Sequence, residues 1–175
     1  MTQAKELTKK PLYRLSDGKK LGEIKDVYFD GEVKRVAAVF LGKEGVFTRK
    51  ILIVLHDQVR VMGEDAWLTA GSSEVEDLKQ LGGGEAFVLA NDLRGRELQT
   101  ARETKIGTVG DVEIDEQGYV TGFSLGKVHI QGPVAKRGMV PRGTVSSLGD
   151  SESPMIVDLE AAEASAFGES DGGKD

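Results

Sequence analysis

Leu21-Gly22-Glu23-Ile24-Lys25-Asp26-Val27-Tyr28-Phe29-Asp30 returns later in the chain as Ile106-Gly107-Thr108-Val109-Gly110-Asp111-Val112-Glu113-Ile114-Asp115. In both copies alternate residues near the end are apolar (Val27 and Phe29; Val112 and Ile114), the period of a strand with one buried face. Ile24 and Val109 break that alternation by one residue. The same slip in both copies predicts a β-bulge at Lys25-Asp26 and Gly110-Asp111, where one extra residue reverses the faces. Asp30-Gly31 and Gln117-Gly118 then predict turns.

Extending the alignment from this stretch reveals a tandem repeat. Leu7 aligns with Leu93 and Leu12 with Leu98, an offset of 86 residues. One-residue steps then bring Gly22 onto Gly107, Asp26 onto Asp111, Asp30 onto Asp115, Val36 onto Val120, and Leu41-Gly42 onto Leu125-Gly126. A longer loop at 128–138 restores the offset, so Val59, Gly63 and Gly82 meet Val145, Gly149 and Gly168. The gaps fall at turns. Further strands are expected at 36–41, 51–55, 59–61, 66–69 and 120–125, with Gly63-Glu64-Asp65 as a hairpin turn.

A short helix is expected to close each copy. Ser73 to Glu76 has capping-box spacing, Val75, Leu78 and Leu81 make an apolar stripe, and Gly82 would end the helix. In the second copy Asp158 would cap, Ala161, Ala164 and Phe167 would form the stripe, and Gly168 would end it. The fold class is therefore mainly β: two tandem small β-barrels, each followed by a short α-helix. The expected boundaries are repeat 1 with its helix at 7–81, a Gly-rich linker at 82–91, repeat 2 with its helix at 92–168, and a polar, disordered tail at 169–175. A domain of about 60 residues buries only about 60% of its unfolded surface, so the copies are expected to pack together through their helices.

The repeated "hydrophobic-Gly-x-hydrophobic-x-Asp-hydrophobic" stretch, with Leu55, Val59 and Gly63 and then Pro141, Val145 and Gly149 behind it, resembles the PRC-barrel family. That family includes the cytoplasmic domain of the photosynthetic reaction centre H subunit and the C-terminal domain of the ribosome maturation factor RimM. The resemblance covers roughly residues 7–70 and 92–158. It implies a non-catalytic barrel used for contact with protein or RNA, and fixes no partner.

The other residues point away from catalysis. The chain has no Cys, which excludes disulfides and thiolate metal sites. Its two His, His56 and His129, fall at unmatched positions and do not form a metal-ligand set. Gly82-Gly83-Gly84 lacks the spacing of a phosphate loop. Asp26 and Asp111 could read as paired catalytic carboxylates, but their equivalence favours structural acceptors of backbone N–H groups. Gly22, Asp26, Asp30, Gly107, Asp111 and Asp115 are thus structural motif residues, and no catalytic, cofactor or metal residue is expected.

Charge is uneven. Residues 1–69 hold 13 Lys and Arg against 10 Asp and Glu, and residues 70–175 hold 10 against 19. Such asymmetry favours contact between the halves or with charged partners. Lys19, Lys20, Lys34 and Arg35 of repeat 1, and Lys136 and Arg137 in the longer loop of repeat 2, are candidate partner-binding residues. The functional expectation is a cytoplasmic, non-enzymatic interaction module or adaptor with no cofactor. It would bind a protein through the barrel exterior or the inter-barrel groove, with self-association open. The alternative is an RNA- or ribosome-associated factor using the basic face of repeat 1. Residues 1–10 are polar and do not read as a secretory signal, and no apolar run is long enough to span a bilayer.

Overall fold

The first repeat is built mostly from short strands, with turns at Asp30-Gly31 and Gly63-Glu64-Asp65 as the sequence predicts. A computed structural model describes residues 1–168. After β1 (Thr2–Gln3) and a 3-10 turn at Ala4–Leu7 come β2 (Pro11–Arg14), β3 (Lys20–Glu23), β4 (Asp26–Phe29), β5 (Val36–Glu44), β6 (Lys50–Leu55), β7 (Val59–Met62), β8 (Trp67–Thr69) and β9 (Glu76–Asp77). The second begins with β10 (Val88–Leu89) and the one-turn α1 (Ala90–Leu93). It continues through β11 (Glu97–Gln99), β12 (Lys105–Ile114), β13 (Val120–Val128), α2 (Pro133–Arg137), β14 (Met139–Pro141), β15 (Val145–Ser147), β16 (Met155–Val157) and α3 (Leu159–Gly168).

The repeats share their strand pairing except for β9, whose pair with β6 has no counterpart beside β14. Leu12 faces Gly22 and Leu98 faces Gly107 across antiparallel pairs. Each of β2 and β11 also carries a parallel neighbour, β8 and β16, with Leu12 beside Trp67 and Leu98 beside Met155. The expected bulge is present in repeat 2, and a strand break takes its place in repeat 1. In repeat 2, Val109 pairs with Leu125 and Asp111 with Ser124, which leaves Gly110 as the extra residue in an unbroken β12. In repeat 1 the same point separates β3 from β4. The Lys25 N–H bonds to the Phe40 carbonyl, which turns one sheet into the next. Repeat 1 accordingly reads as two sheets, β3-β2-β8-β7 and β10-β4-β5-β6-β9, and repeat 2 as one, β14-β13-β12-β11-β16-β15. The slip in alternation serves burial: Ile24, Val27, Phe29, Val109, Val112 and Ile114 are all buried.

Three expectations need correction. Residues 73–81 are not a helix. Ser73 is buried and donates through its hydroxyl to Gln58 Oε1 at 3.3 Å, so it is unavailable as a cap. The chain instead stays extended as β9 against β6, then makes a 3-10 turn at Leu78–Gln80. Asp77 fixes that turn, its Oδ1 accepting from Ile51 N–H and Lys79 N–H, each at 3.1 Å. Leu78 and Leu81 still bury, against Tyr28, Ala38 and Ile53. In α3, Asp158 does cap, accepting from Ala161 N–H at 3.0 Å. The buried face, however, is Ala162 flanked by half-buried Leu159, Glu163 and Ala166, while Ala161, Ala164 and Phe167 are exposed. Gly168 is the last residue of α3 and Gly82 lies in a turn, so this aligned pair has unlike settings. The tail at 169–175 lies outside the described residues.

The third correction concerns how the copies join. α3 packs on α2, β14 and the 3-10 turn at Arg142–Thr144, all within its own repeat. The join is made by exchanged segments. β1, at the start of repeat 1, pairs with β12 of repeat 2 (Thr2 with Ile114, Gln3 with Glu113). β10, at the start of repeat 2, pairs with β4 of repeat 1 (Val88 with Phe29, Leu89 with Tyr28). The expected linker is therefore partly a strand of the β4-β5-β6 sheet of repeat 1. One apolar cluster runs through both repeats, from Ala4 and Leu7 to Val157 and Ala162.

Candidate functional site

The exchange has a pseudo-two-fold centre, built from the repeated Asp. Each carboxylate accepts from the next residue's N–H: Val27 N–H to Asp26 Oδ1 at 2.9 Å and Val112 N–H to Asp111 Oδ1 at 2.8 Å. Each also accepts from the segment that crosses over. Asn91 N–H of α1 bonds Asp26 Oδ2 at 3.0 Å, and Lys5 N–H of the Ala4–Leu7 turn bonds Asp111 Oδ2 at 2.9 Å. Lys5 and Asn91 are 86 residues apart, as are Ala4 and Ala90, both fully buried. The expected role as backbone acceptors thus extends across the repeat boundary.

One residue breaks the symmetry. Arg94 grips Asp26 with two parallel bonds, Nη1 to Oδ2 and Nη2 to Oδ1, both at 3.3 Å. Its Nε donates to Asp111 Oδ1 at 3.1 Å. One guanidinium is therefore shared between both buried carboxylates. The aligned position in repeat 1 is Thr8. A repeat comparison rewards matched residues, and it passed over Arg94 for that reason. Two guanidiniums on one pseudo-axis would repel and collide.

Around the centre the repeats interlock again. Val36 N–H bonds the Gly118 carbonyl and Val120 N–H the Lys34 carbonyl, each at 2.8 Å. His56 and Arg142 open equivalent 3-10 turns, 86 residues apart, and each reaches the other repeat's tight turn. Arg142 donates to the Val33 and Glu32 carbonyls at 3.1 and 2.6 Å. His56 lies against Gly118, where a Cβ would come within 2.8 Å of its Nε2. Gly118 has φ +87°, so both its conformation and this close approach suit glycine. Val33 takes the equivalent turn with φ 52°, held there by complete burial.

His56 has its ring edge-on to Trp67, 6.4 Å between centroids, and its Nε2 is buried with no partner among the described residues. Burial, reinforced by the nearby Arg35 cation, pushes its pKa below the ordinary 6.5, with Asp57 opposing. The folded protein then binds fewer protons than the unfolded chain just below pH 6.5. Stability is complete above that pH and falls as pH drops toward the folded value. Urea melts between pH 7.5 and 5 should show this loss, and His56→Gln should remove most of it. A wild-type chain whose midpoint is flat over that interval would contradict the burial of this imidazole.

The candidate partner-binding residues are not brought together. Lys19 and Lys20 lie at the β2–β3 hairpin, with Lys20 paired to Glu23 at 3.0 Å. Lys34 pairs with Glu32 at 3.0 Å, and Arg35 stacks over the Tyr119 ring at 5.3 Å, a contact that helps join the repeats. Lys136 and Arg137 end α2. Asp30 and Asp115 hold turns, accepting Lys34 N–H at 2.7 Å and both Gln117 and Tyr119 N–H at 2.9 Å. Among the described residues no group of three or more His, Asp or Glu could hold a metal ion. No helix there is long and apolar enough to cross a membrane.

Between the repeats, beside β7, lies a groove of about 510 Å³. Leu7, Met62 and Trp67 line it from repeat 1, and Ile114, Asp115 and Glu116 from repeat 2. Sequence reading placed a binding surface between the copies without identifying these residues, because their meeting depends on the exchange of β1.

The PRC-barrel domain family model matches the chain twice, at residues 2–74 and 85–150. The chain is a tandem member of the PRC-barrel domain family. The two matches begin at the exchanged segments, so each PRC-barrel domain takes its opening strand to the other domain's sheet. A search of curated proteins gives no match.

Proposed function

We propose that this tandem PRC-barrel protein is a non-enzymatic interaction module that takes an extended segment of a partner protein into its inter-barrel groove. The observation that carries this reading is the groove's position along a sheet edge. Among the described residues β7 pairs only with β8 and ends its sheet, and Val61 within it is 46% exposed. An edge strand offers unpaired N–H and C=O groups to an incoming strand, and the exposed Val61 and half-buried Met62 offer apolar contact beside it. Lys10 and Arg60 from repeat 1 and Glu64, Asp115 and Glu116 line the same groove, a mixed rim that would orient a partner of alternating charge. The cytoplasm is the proposed working place.

The test is selection of peptides from a displayed library against the intact chain, followed by NMR shift mapping. Selected peptides should shift residues 59–64, 2–10 and 114–116 together, and Val61→Asp should weaken binding at least about tenfold by placing a charge in a desolvated contact. Peptides that map elsewhere would overturn the groove reading. Salt-dependent retention on RNA with no peptide selected would support the RNA-associated alternative in its place.

A further inference from the structure

β5 and β6 run beyond the rest of their sheet. β4 accompanies β5 only as far as Phe40, and β9 accompanies β6 only at Leu52 and Ile53. The last two rungs, Lys43 with Ile51 and Glu44 with Lys50, therefore stand with no strand on either side among the described residues. At the apex Val46 is 87% exposed and Phe47 fully exposed. Below them Lys43, Arg49 and Lys50 are exposed and form no ion pair among the described residues; Glu44 is the one acid in the hairpin.

The second repeat treats the corresponding excursion differently. After Leu125-Gly126, which align with Leu41-Gly42, the chain turns back through α2. Val134 there is completely buried, and its N–H donates to Glu163 Oε2 of α3 at 2.8 Å. The second repeat thus covers its own loop with a helix. The first has β9 and a 3-10 turn after its barrel, and its apolar apex is left uncovered.

We propose that this hairpin is an anchor for the surface of an anionic lipid bilayer. Val46 and Phe47 enter the headgroup–acyl boundary, and Lys43, Arg49 and Lys50 meet lipid phosphates. The apex is convex and narrow, so it offers a partner protein no flat area or groove of its own. A bilayer accepts such a projection without a prepared shape. The cationic collar fits a negative membrane surface locally, against the repulsion from the chain's net charge of −6. The anchor is small, so binding is reversible and weakened by salt.

The experiment is cosedimentation of the full chain with phosphatidylcholine vesicles, with and without phosphatidylglycerol. Pelleting is expected only with the anionic lipid and should fall with added salt. Val46→Ser with Phe47→Ser should lower the partition coefficient roughly tenfold or more, with far-UV dichroism unchanged because neither side chain is packed. A Phe47→Trp probe reads insertion directly: its emission should shift to the blue on adding anionic vesicles. The proposal is overturned if the chain does not pellet with anionic vesicles, or if the double Ser variant pellets like wild type. It is also overturned if the blue shift of the Phe47→Trp variant appears without lipid and grows with protein concentration, which would place the apex against a second copy.

Discussion

Deleting residues 1–8 is expected to unfold the second repeat, although the deleted residues precede the first. β12 would lose β1, and Asp111 would lose the Lys5 N–H bond at 2.9 Å. Leu7 and Ala4 would leave the shared core, where they are 3% and 0% exposed. A buried Leu is worth about 2–5 kcal/mol against Ala, and each lost bond to a buried acceptor about 1–3 kcal/mol. The loss is on the order of 5 kcal/mol or more, comparable with the whole stability of a small domain. Residues 84–175 expressed alone lack the same segment and should not fold. The intact chain should show a single calorimetric transition, since the main apolar cluster runs through both repeats. Two separate transitions, or a folded 84–175 fragment with dispersed amide signals, would show that the exchanged segments contribute little.

The contrast between what the sequence disclosed and what it hid follows from element length. Asp26 and Asp111 could be assigned because a bulge reverses an alternation that several flanking residues establish. The exchange of β1 and β10 was hidden because Thr2–Gln3 and Val88–Leu89 are too short to show any period. Nothing in two residues says which sheet they join. The helix expected at 73–81 failed for a related reason. Val75, Leu78 and Leu81 are spaced by three, which suits a 3-10 turn as well as an α-helix. The bond from Ser73 to Gln58 that removes the cap is a tertiary contact, and the apolar residues then bury through β9 and the turn. The sequence points to paired repeats but not to their agents: the stripes at 75–81 and 161–167 have a visible period, and the exchanged segments have none. The groove beside β7 inherits the same blindness, because Leu7 and Ile114 meet there only once the first segment has crossed.

Arg94→Met should be the most damaging single substitution away from the apolar core. The two Asp are 6% and 1% exposed and share one guanidinium. Removing it leaves two buried carboxylates facing one centre with only backbone N–H groups to hold them. Breaking a buried ion pair by deleting one partner costs about 3–5 kcal/mol, most of it the penalty of the stranded charge. Asp111→Ala should cost less, about 1–3 kcal/mol, because Arg94 keeps both bonds to Asp26. Asp26→Ala removes the bidentate partner and should lie between these two. The decisive variant is the triple Asp26→Asn, Asp111→Asn, Arg94→Met. It removes every charge, while each Asn carbonyl can still accept from one of its two N–H partners, the next residue's or the crossing segment's, with the amide NH2 facing the other. It should recover part of the stability that Arg94→Met alone loses, because the stranded charges are gone while one backbone donor at each site is left without its acceptor. Denaturant midpoints for the four variants, at constant m-value, test the whole set. A triple variant no more stable than Arg94→Met would show that the stranded charges cost no more than the two backbone acceptors that the Asn replacements give up. An Arg94→Met midpoint equal to wild type would remove the charge-sharing centre from the account of how the two barrels are joined.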